Sequence, residues 1–372
     1  MANENLSAAK EAKNDEFYTQ YYDIELEMNA YLEYNPDVFR GKTVLLPCDD
    51  PEWSNFTLYF AQKFKDLGLK KLISTSYAAD SKKVKAGYMP SLFETEAPQF
   101  DPSKTNTHGK LFVLEKDITG DGQIDYRDLE WSYLEGDGDF RSKEVCALRD
   151  EADIIVTNPP FSLFREFMAW IMAADKKFVI IGNMNALTYK EIFPLIRENK
   201  VWLGNGFKGG NAFFKVITPK VYANGVYDDN TGLVKFRNCC WYTNIDHGRR
   251  HQPLALMTMA DNIRYSKHKE IKNQEYLHYD NYDAIEVPYT DAIPSDYEDV
   301  MAVPISFLDK YCPEQFTILG ITQRNDDPYK TKVYTKAEYK NANDLNARGV
   351  IMIDGQPKPM YARILIRKKQ QS

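Results

Sequence analysis

The chain has no apolar run approaching the ~18 residues that span a bilayer, and no charged-then-apolar leader opens it, so neither membrane insertion nor secretion is expected. Its five cysteines, Cys48, Cys146, Cys239, Cys240 and Cys312, are an odd number without CxxC or Cys/His metal spacing. A disulfide framework is therefore not expected, and a reduced, cytoplasmic setting fits best. No glycine fingerprint GxGxxG follows the first apolar strand, which counts against a dinucleotide held by its pyrophosphate. Nor is there an excess of basic charge: the formal net charge is −7. That argues against a general polyanion binder but leaves room for a local basic groove. What the chain does have is length, 372 residues, with 43% hydrophobic and 13% aromatic content. Two domains with a substantial core are expected.

The most informative stretch is Asn158-Pro159-Pro160-Phe161. It follows the β-branched run Asp153-Ile154-Ile155-Val156-Thr157 and precedes Leu163, Phe164, Phe167 and Ile171 at helical spacing. The pattern predicts a buried parallel strand, a rigid turn at its carboxyl end, and a helix. In an open α/β sheet that end of the strand is where ligands bind. The two prolines fix the backbone, so the Asn158 side-chain oxygen and the Pro159 carbonyl converge on one amino group, with Phe161 offering a flat face beside them. Together they form a receptor for a planar ring bearing an exocyclic NH2.

Other segments point to a cofactor pocket. Thr43-Val44-Leu45-Leu46 reads as the first strand, followed by a loop with Asp49 and Asp50 and a helix carrying Phe56, Phe60, Phe64 and Leu67, which stops at Gly68. A carboxylate here suits a ligand with a cationic amino end, such as the methionine portion of S-adenosylmethionine (SAM); alternatively one or both residues cap the helix. Phe17, Tyr18 and Thr19 lie ahead of that strand, placed to fold over such a pocket. Lys71 to Ser74 and Leu111 to Leu114 are further strands, and the polar stretch 81–110 reads as an insertion. After the second strand the chain reads Ser74-Thr75-Ser76-Tyr77, so no acid is available for ribose hydroxyls. Asp139 and Phe140, in a Gly-Asp loop before the Asn-Pro-Pro strand, suit an adenine amino group and ring face. Asp117, Thr119, Asp121, Asp125 and Asp128 follow a calcium-loop spacing, with Gly122 at the sixth position and Ile124 at the eighth. They predict a structural calcium ion or a solvated Asp/Gly turn.

The segments Asn14 to Gln20, Cys48 to Phe56, Gly136 to Ser142 and Asn158 to Phe161, with Trp202-Leu203-Gly204 and Tyr242-Thr243-Asn244, resemble those of the EcoRI-type adenine-specific DNA methyltransferases. The similarity runs from about Asn14 to the C-terminal Tyr361 to Arg367. The resemblance implies an α/β, Rossmann-like SAM-dependent methyltransferase fold, with a mostly parallel sheet and an antiparallel edge pair. It implies that Phe17, Tyr18, Thr19, Asp49 and Asp50 hold SAM, that Asp139 and Phe140 flank its adenine, and that Asn158, Pro159, Pro160 and Phe161 are catalytic. The substrate would be double-stranded DNA, with a restriction endonuclease as the companion of a restriction-modification system.

The chemistry agrees with the residues. Adenine N6 is a poor nucleophile because its lone pair is delocalised, so an enzyme must orient and polarise it rather than deprotonate it with a strong base. The atom is out of reach inside a duplex, so the base is expected to flip out and stack on Phe161. The same site could serve RNA or a protein glutamine, an alternative that would not need a long recognition region. The catalytic domain is expected over 1–250, with insertions at 81–110 and 117–128. In it Phe178 to Gly182, Tyr189 to Glu198 and Lys200 to Leu203 read as strand, helix and strand, and Phe213 to Val216 with Phe236 to Thr243 as the closing antiparallel pair. The stretch 251–372, rich in Tyr, Pro and Asn, is the expected DNA target-recognition region. Lys235, Arg237, Arg249 and Arg250 are the expected DNA contacts, with phosphate contact favoured for Arg250; Lys267 to Lys272 and Arg363 to Lys369 form further basic clusters.

Overall fold

The computed structural model describes residues 18–49, 54–78, 95, 97–207, 211–215, 225–323, 327–338 and 345–370. The chain divides into two compact units. The described residues of Met1–Ala186 and Val201–His247 form the first, and those of Leu187–Lys200 and Gly248–Ser372 the second. The segment Leu187–Lys200, read from sequence as part of the catalytic domain, thus groups with the second unit. Its expected long helix is reduced to Phe193–Arg197, with Pro194 in the first turn.

The first unit is built on β1 (Tyr18–Thr19), β2 (Thr43–Leu46), β3 (Lys71–Ser76), β4 (Lys110–Leu114), β5 (Glu130–Tyr133), β6 (Ile154–Thr157), β7 (Lys177–Asn183), β8 (Trp202–Leu203), β9 (Ala212–Lys215), β10 (Tyr227–Asp228), β11 (Leu233–Phe236) and β12 (Cys239–Thr243). Its main sheet has the order β5-β4-β3-β2-β6-β7-β12-β8. The four central strands, β3, β2, β6 and β7, are parallel. Every residue of β2 and β6 is buried, as expected of strands covered on both faces.

The flanks are antiparallel on both sides, which exceeds the single edge pair expected from sequence. On one side β4 runs against β3 and β5 against β4. The β4–β5 connection carries only a 3₁₀ turn and no crossover helix, so parallel pairing is not available to it. On the other side β12 runs against β7 and β8 against β12. The expected closing pair is also divided. Phe213 and Phe214 lie in β9, within a separate four-stranded sheet of order β1-β9-β11-β10. The second expected strand breaks at Arg237 and Asn238, so that β11 stays in the small sheet and β12 enters the main one.

Helices pack on this frame: α1 (Tyr21–Tyr34), α2 (Asn55–Gln62), α3 (Lys143–Glu151) and α4 (Phe164–Met172). In α4, Phe164, Phe167, Met168 and Ile171 recur on one face and are buried. Gly182 of β7 permits that approach, since a Cβ there would lie 2.4 Å from the Phe164 ring. Among the described residues no helix is long and apolar enough to cross a membrane.

The second unit holds a four-stranded sheet of β13 (Ile285–Glu286), β14 (Met301–Pro304), β15 (Phe316–Ile321) and β18 (Arg363–Lys368), in the order β13-β14-β18-β15. A separate two-stranded ribbon is made by β16 (Val350–Ile353) and β17 (Gln356–Pro359).

Candidate active site

The order of the main sheet reverses at β2 and β6. The chain leaves β2 for β3 on one side and later passes from β6 to β7 on the other, so the carboxyl ends of β2 and β6 flank the switch point where open α/β sheets take their ligands. The residues that follow these two strands are Pro47-Cys48-Asp49 and Asn158-Pro159-Pro160. Asp49 is buried, and it joins the two turns. Its Oδ2 accepts from Thr157 Oγ1 at 2.6 Å, and its Oδ1 from Ser54 Oγ at 2.7 Å. Ser54 is the N-cap of α2, and its Oγ also accepts from Phe56 N at 3.1 Å. The carboxylate that the sequence offers either to a cationic ligand or to the helix cap thus acts through the cap and extends to Thr157. Asp50 lies outside the described residues.

The run Ser74-Thr75-Ser76, which supplies no ribose acid, braces the same loop. Ser74 Oγ donates to the Asp49 carbonyl, Thr75 Oγ1 donates to Pro47 O at 3.0 Å, and Asp49 N donates to Thr75 O at 3.0 Å. A Gly-Asp loop then crosses the end of β3. Gly138 has φ +83°, and a Cβ on it would meet Ser76 O at 2.3 Å, so the crossing requires glycine. The next two residues, Asp139 and Phe140, are held by neighbours in the chain. Asp139 is bound by Arg141, from Nε at 2.9 Å and Nη2 at 2.6 Å, and Arg141 also reaches Glu166. Phe140 is buried, with its ring edge-on to Phe167 at 5.0 Å and Trp170 at 5.6 Å. Its ring packs under α4, because Phe167 and Trp170 face it at helical spacing.

The small sheet brings the Tyr18-Thr19 segment to the same place. Thr19 pairs with Phe214 of β9, and its carbonyl accepts from Asn55 Nδ2 at 2.7 Å, at the start of α2. Half-buried Phe161 packs edge-on against Phe214 and Phe236, with centroids 6.3 and 6.0 Å away. The tetrapeptide, the loop after β2 and the strand β1 therefore converge in one constellation. Phe17 lies outside the described residues.

Sequence reasoning missed Ser54, Asn55, Thr157 and Glu27. Glu27 lies on the buried face of α1 and accepts from Asn205 N at 2.9 Å, Gly206 N at 3.0 Å and Tyr31 Oη at 2.6 Å. Burial and the Glu27 carboxylate push the Tyr31 hydroxyl well up, so it stays a donor. Gly204 is required by this contact, because a Cβ there would lie 2.0 Å from Glu27 Oε1. The Tyr242-Thr243-Asn244 segment is likewise architectural. Asn244 Oδ1 accepts from Phe178 N and its Nδ2 donates to Lys176 O, both at 2.9 Å, which continues the β7–β12 ladder through a side chain.

The expected calcium loop is a self-satisfied turn. Asp117 accepts from Gly120 N and Gly122 N, Asp121 from Gln123 N, and Asp125 from Arg127 N. Asp128 accepts from Ile118 N, Thr119 N and Asp125 N. Burial works to raise the Asp128 carboxyl, but these amides outweigh it and hold it at about 2. Arg127 bridges Asp121 and Asp125 at 2.7 Å each. Thr119 Oγ1 turns onto Asp117 Oδ1. With the carboxylates committed to amides and a guanidinium, no group of three or more His, Cys, Asp or Glu able to hold a metal occurs among the described residues.

The expected DNA contacts separate in the same way. Lys235 is on β11 with its ammonium 5.8 Å from the Phe213 ring centre, and Arg237 is exposed at the break between β11 and β12. In the second unit Arg249 pairs with Asp309 at 2.5 Å. Arg250 is buried and holds the Asn199 side chain. Arg363 is also structural, bound to Glu286 from Nη2 at 2.6 Å.

The model of the family described as adenine-specific methyltransferase EcoRI matches residues 5–369. The chain is 40% identical over 372 residues to the type II methyltransferase M.EcoRI of Escherichia coli, covering 99% of this chain and 97% of that protein. It is 30% identical to the type II methyltransferase M.MpnI of Mycoplasma pneumoniae, covering 98% of each. It is 29% identical to the type II methyltransferase M.MgeORF184P of Mycoplasma genitalium, covering 98% of this chain and 99% of that protein. No solved structure matches the chain. A match along nearly the full length, over a chain whose Asn-Pro-Pro-Phe turn stands at the sheet's switch point, places the protein in the EcoRI family of adenine-specific methyltransferases, with DNA adenine methylation as its activity.

Proposed function

We propose that the protein transfers the methyl group of SAM to N6 of an adenine flipped out of duplex DNA, at the site formed by the loop after β2 and Asn158 to Phe161. The observation that carries this reading is the Asp49 bridge, which ties the Asn-Pro-Pro turn, through Thr157, to the start of α2. Family membership implies SAM as donor, and the residues present suit it. Among the described residues, buried Thr19 Oγ1 has no hydrogen-bond partner, a polar atom suited to a polar ligand, on the strand whose carbonyl is tied to Asn55. Tyr18, Thr19 and the loop at Asp49, with the sequence neighbours Phe17 and Asp50, would hold its methionine part, and Asp139 would lie toward its adenine. When bound, the cofactor supplies an activated sulfonium methyl.

The chain's own residues then position the nucleophile. Asn158 Oδ1 and the Pro159 carbonyl accept the two N6 hydrogens, which favours a pyramidal nitrogen with its lone pair aimed outward for in-line attack. The two prolines hold these acceptors at fixed spacing. Phe161, steadied by Phe214 and Phe236, receives the face of the extruded base. No strong base is needed, because the N6 proton becomes acidic only as the bond to carbon forms and is then released to water. The main sheet is read as the Rossmann-like core of a methyltransferase and the second unit as the target-recognition region. A restriction endonuclease recognising the same site is the partner that type II modification implies.

The test is incubation with labelled SAM and unmethylated DNA, followed by nucleoside analysis. Label in N6-methyladenine is expected; label in cytosine, RNA or protein would overturn the reading. Asn158→Ala should lower turnover ~100-fold or more while SAM binding changes little, as for loss of one preorganised transition-state contact.

A further inference from the structure

The ribbon of β16 and β17 is anchored at its root and exposed at its tip. Val350 is buried with Tyr334 and Leu345, and Ile351 with Tyr279 and Tyr282. Val350 N donates to Asn281 Oδ1, Asp280 N to Val350 O and Met360 N to Gly349 O, each at 2.8 Å. Beyond this root the strands turn at Asp354 (φ +51°) and Gly355 (φ +74°), the Asp-Gly pair of a tight hairpin turn with both central residues left-handed.

Two features restrict what the tip can bind. The first is its outer edge. Met360 donates inward, so by alternation Gln356 and Lys358 also face β16, and Pro357 and Pro359 turn their donorless nitrogens outward. A partner strand therefore finds no amide donors along β17, which disfavours strand addition by another protein. The second is its surface. Met352 is 43% exposed and Ile353 37%, on opposite faces of the ribbon, and Tyr361 beyond it is 79% exposed. Asp354, Gln356, Lys358 and, at the root, Arg348 are exposed, and their side chains make no hydrogen bond or ion pair among the described residues.

We propose that the β16–β17 tip enters the major groove of the substrate duplex and reads base edges, an inference that rests on DNA being the substrate. A two-stranded ribbon matches that groove, about 12 Å wide. Its side chains form a set suited to base edges: Gln356 for adenine, Lys358 for guanine, Asp354 for the cytosine amino group, and Met352 or Ile353 for a thymine methyl. Arg348 and Lys358 against Asp354 leave the segment 348–361 with a positive balance opposite a polyanion.

The test begins with the wild-type protein in a host lacking adenine methylation, where modification-sensitive sequencing gives the methylated motif. If no adenine is methylated, the proposed function fails and the ribbon is not at issue. If a motif is found, kcat/KM is measured for Gln356→Ala and Lys358→Ala on that site and on each singly altered site. The ribbon reading expects a fall of about ten- to a hundredfold on the cognate site, lost discrimination at one or two base pairs, and unchanged melting temperature and SAM binding. A photocrosslinking residue at Ile353, with the rest of the chain unchanged, should attach to bases of the motif. Full discrimination by both alanine variants, or crosslinks only to a second copy of the protein, would overturn the proposal.

Discussion

Thr157 Oγ1 donates to Asp49 Oδ2 at 2.6 Å, across 108 residues of chain, and so fixes the residue preceding Asn158 to the loop that follows the first parallel strand. The contact is buried at both ends. Thr157→Val keeps the shape of the side chain but removes the donor and leaves a buried carboxylate oxygen short of a hydrogen bond. The variant should lose about 1–3 kcal/mol of stability. Its methylation rate should fall more than its SAM affinity, because the turn bearing Asn158 loses its brace. Thr157→Ser, which restores the donor, should recover most of both. Thermal melting with steady-state kinetics on the three proteins checks this, and a valine variant as fast as the parent would show that Asp49 does not position the turn.

The contrast between local and distant features explains what was legible in the sequence. Asn158 to Phe161 could be read because strand, turn and helix are contiguous, and the turn's position at the sheet's switch point follows from that order. Ser54 and Thr157 could not be assigned, since their roles depend on a carboxylate brought from another segment by sheet register. Phe140 beside Asp139 reads as a ring face for an adenine, and its packing against Phe167 and Trp170 of α4 is not visible in that local spacing. The Asp/Gly loop finds no support as a calcium site for a similar reason. Spacing records which oxygens are near, whereas Arg127 and the turn amides determine where they point.

That turn makes a direct prediction about metal. Because amides and Arg127 occupy the Asp117, Asp121, Asp125 and Asp128 carboxylates, chelator should leave the melting temperature unchanged, and added calcium should not raise it. Arg127→Ala, in contrast, removes the bridge between Asp121 and Asp125 and should loosen the loop, with a stability loss of at most about 1 kcal/mol for so exposed a pair. A calcium-dependent rise in melting temperature in the parent would restore the ion.

Two arginines expected to serve alike should behave differently. Arg250 is buried on Asn199, so Arg250→Ala strips a hydrogen-bonded cation from the interior and should lower stability by about 2–4 kcal/mol. Exposed Arg237 should tolerate alanine without a change in melting. If Arg237 meets a phosphate, its loss lowers the salt slope of binding by about one on cognate and unrelated DNA alike. Melting curves and salt titrations separate the two. Unchanged melting in Arg250→Ala would show that its buried contact is dispensable.

Asp23, on the buried side of α1 in the turn before Glu27, carries a pH dependence whose sign is set by burial alone. Burial pushes its carboxyl up to about 6, against roughly 3.9 in an unfolded chain. Below pH ~4 the group is protonated in both states and costs the fold nothing. As pH rises from there through about 6 the unfolded chain releases the proton first, so stability falls, and above 6 the full cost is present. That cost is at most about 3 kcal/mol, and its growth between pH 5 and pH 8 is about 1 kcal/mol. Asp23→Asn retains the shape and removes the titration. Its advantage in melting temperature over the parent should widen by a few degrees from pH 5 to pH 8, with all other titrating groups common to both proteins. A gap that stays constant or narrows across that range would show that the Asp23 carboxylate is solvated and ionises as freely in the folded protein as in the unfolded chain.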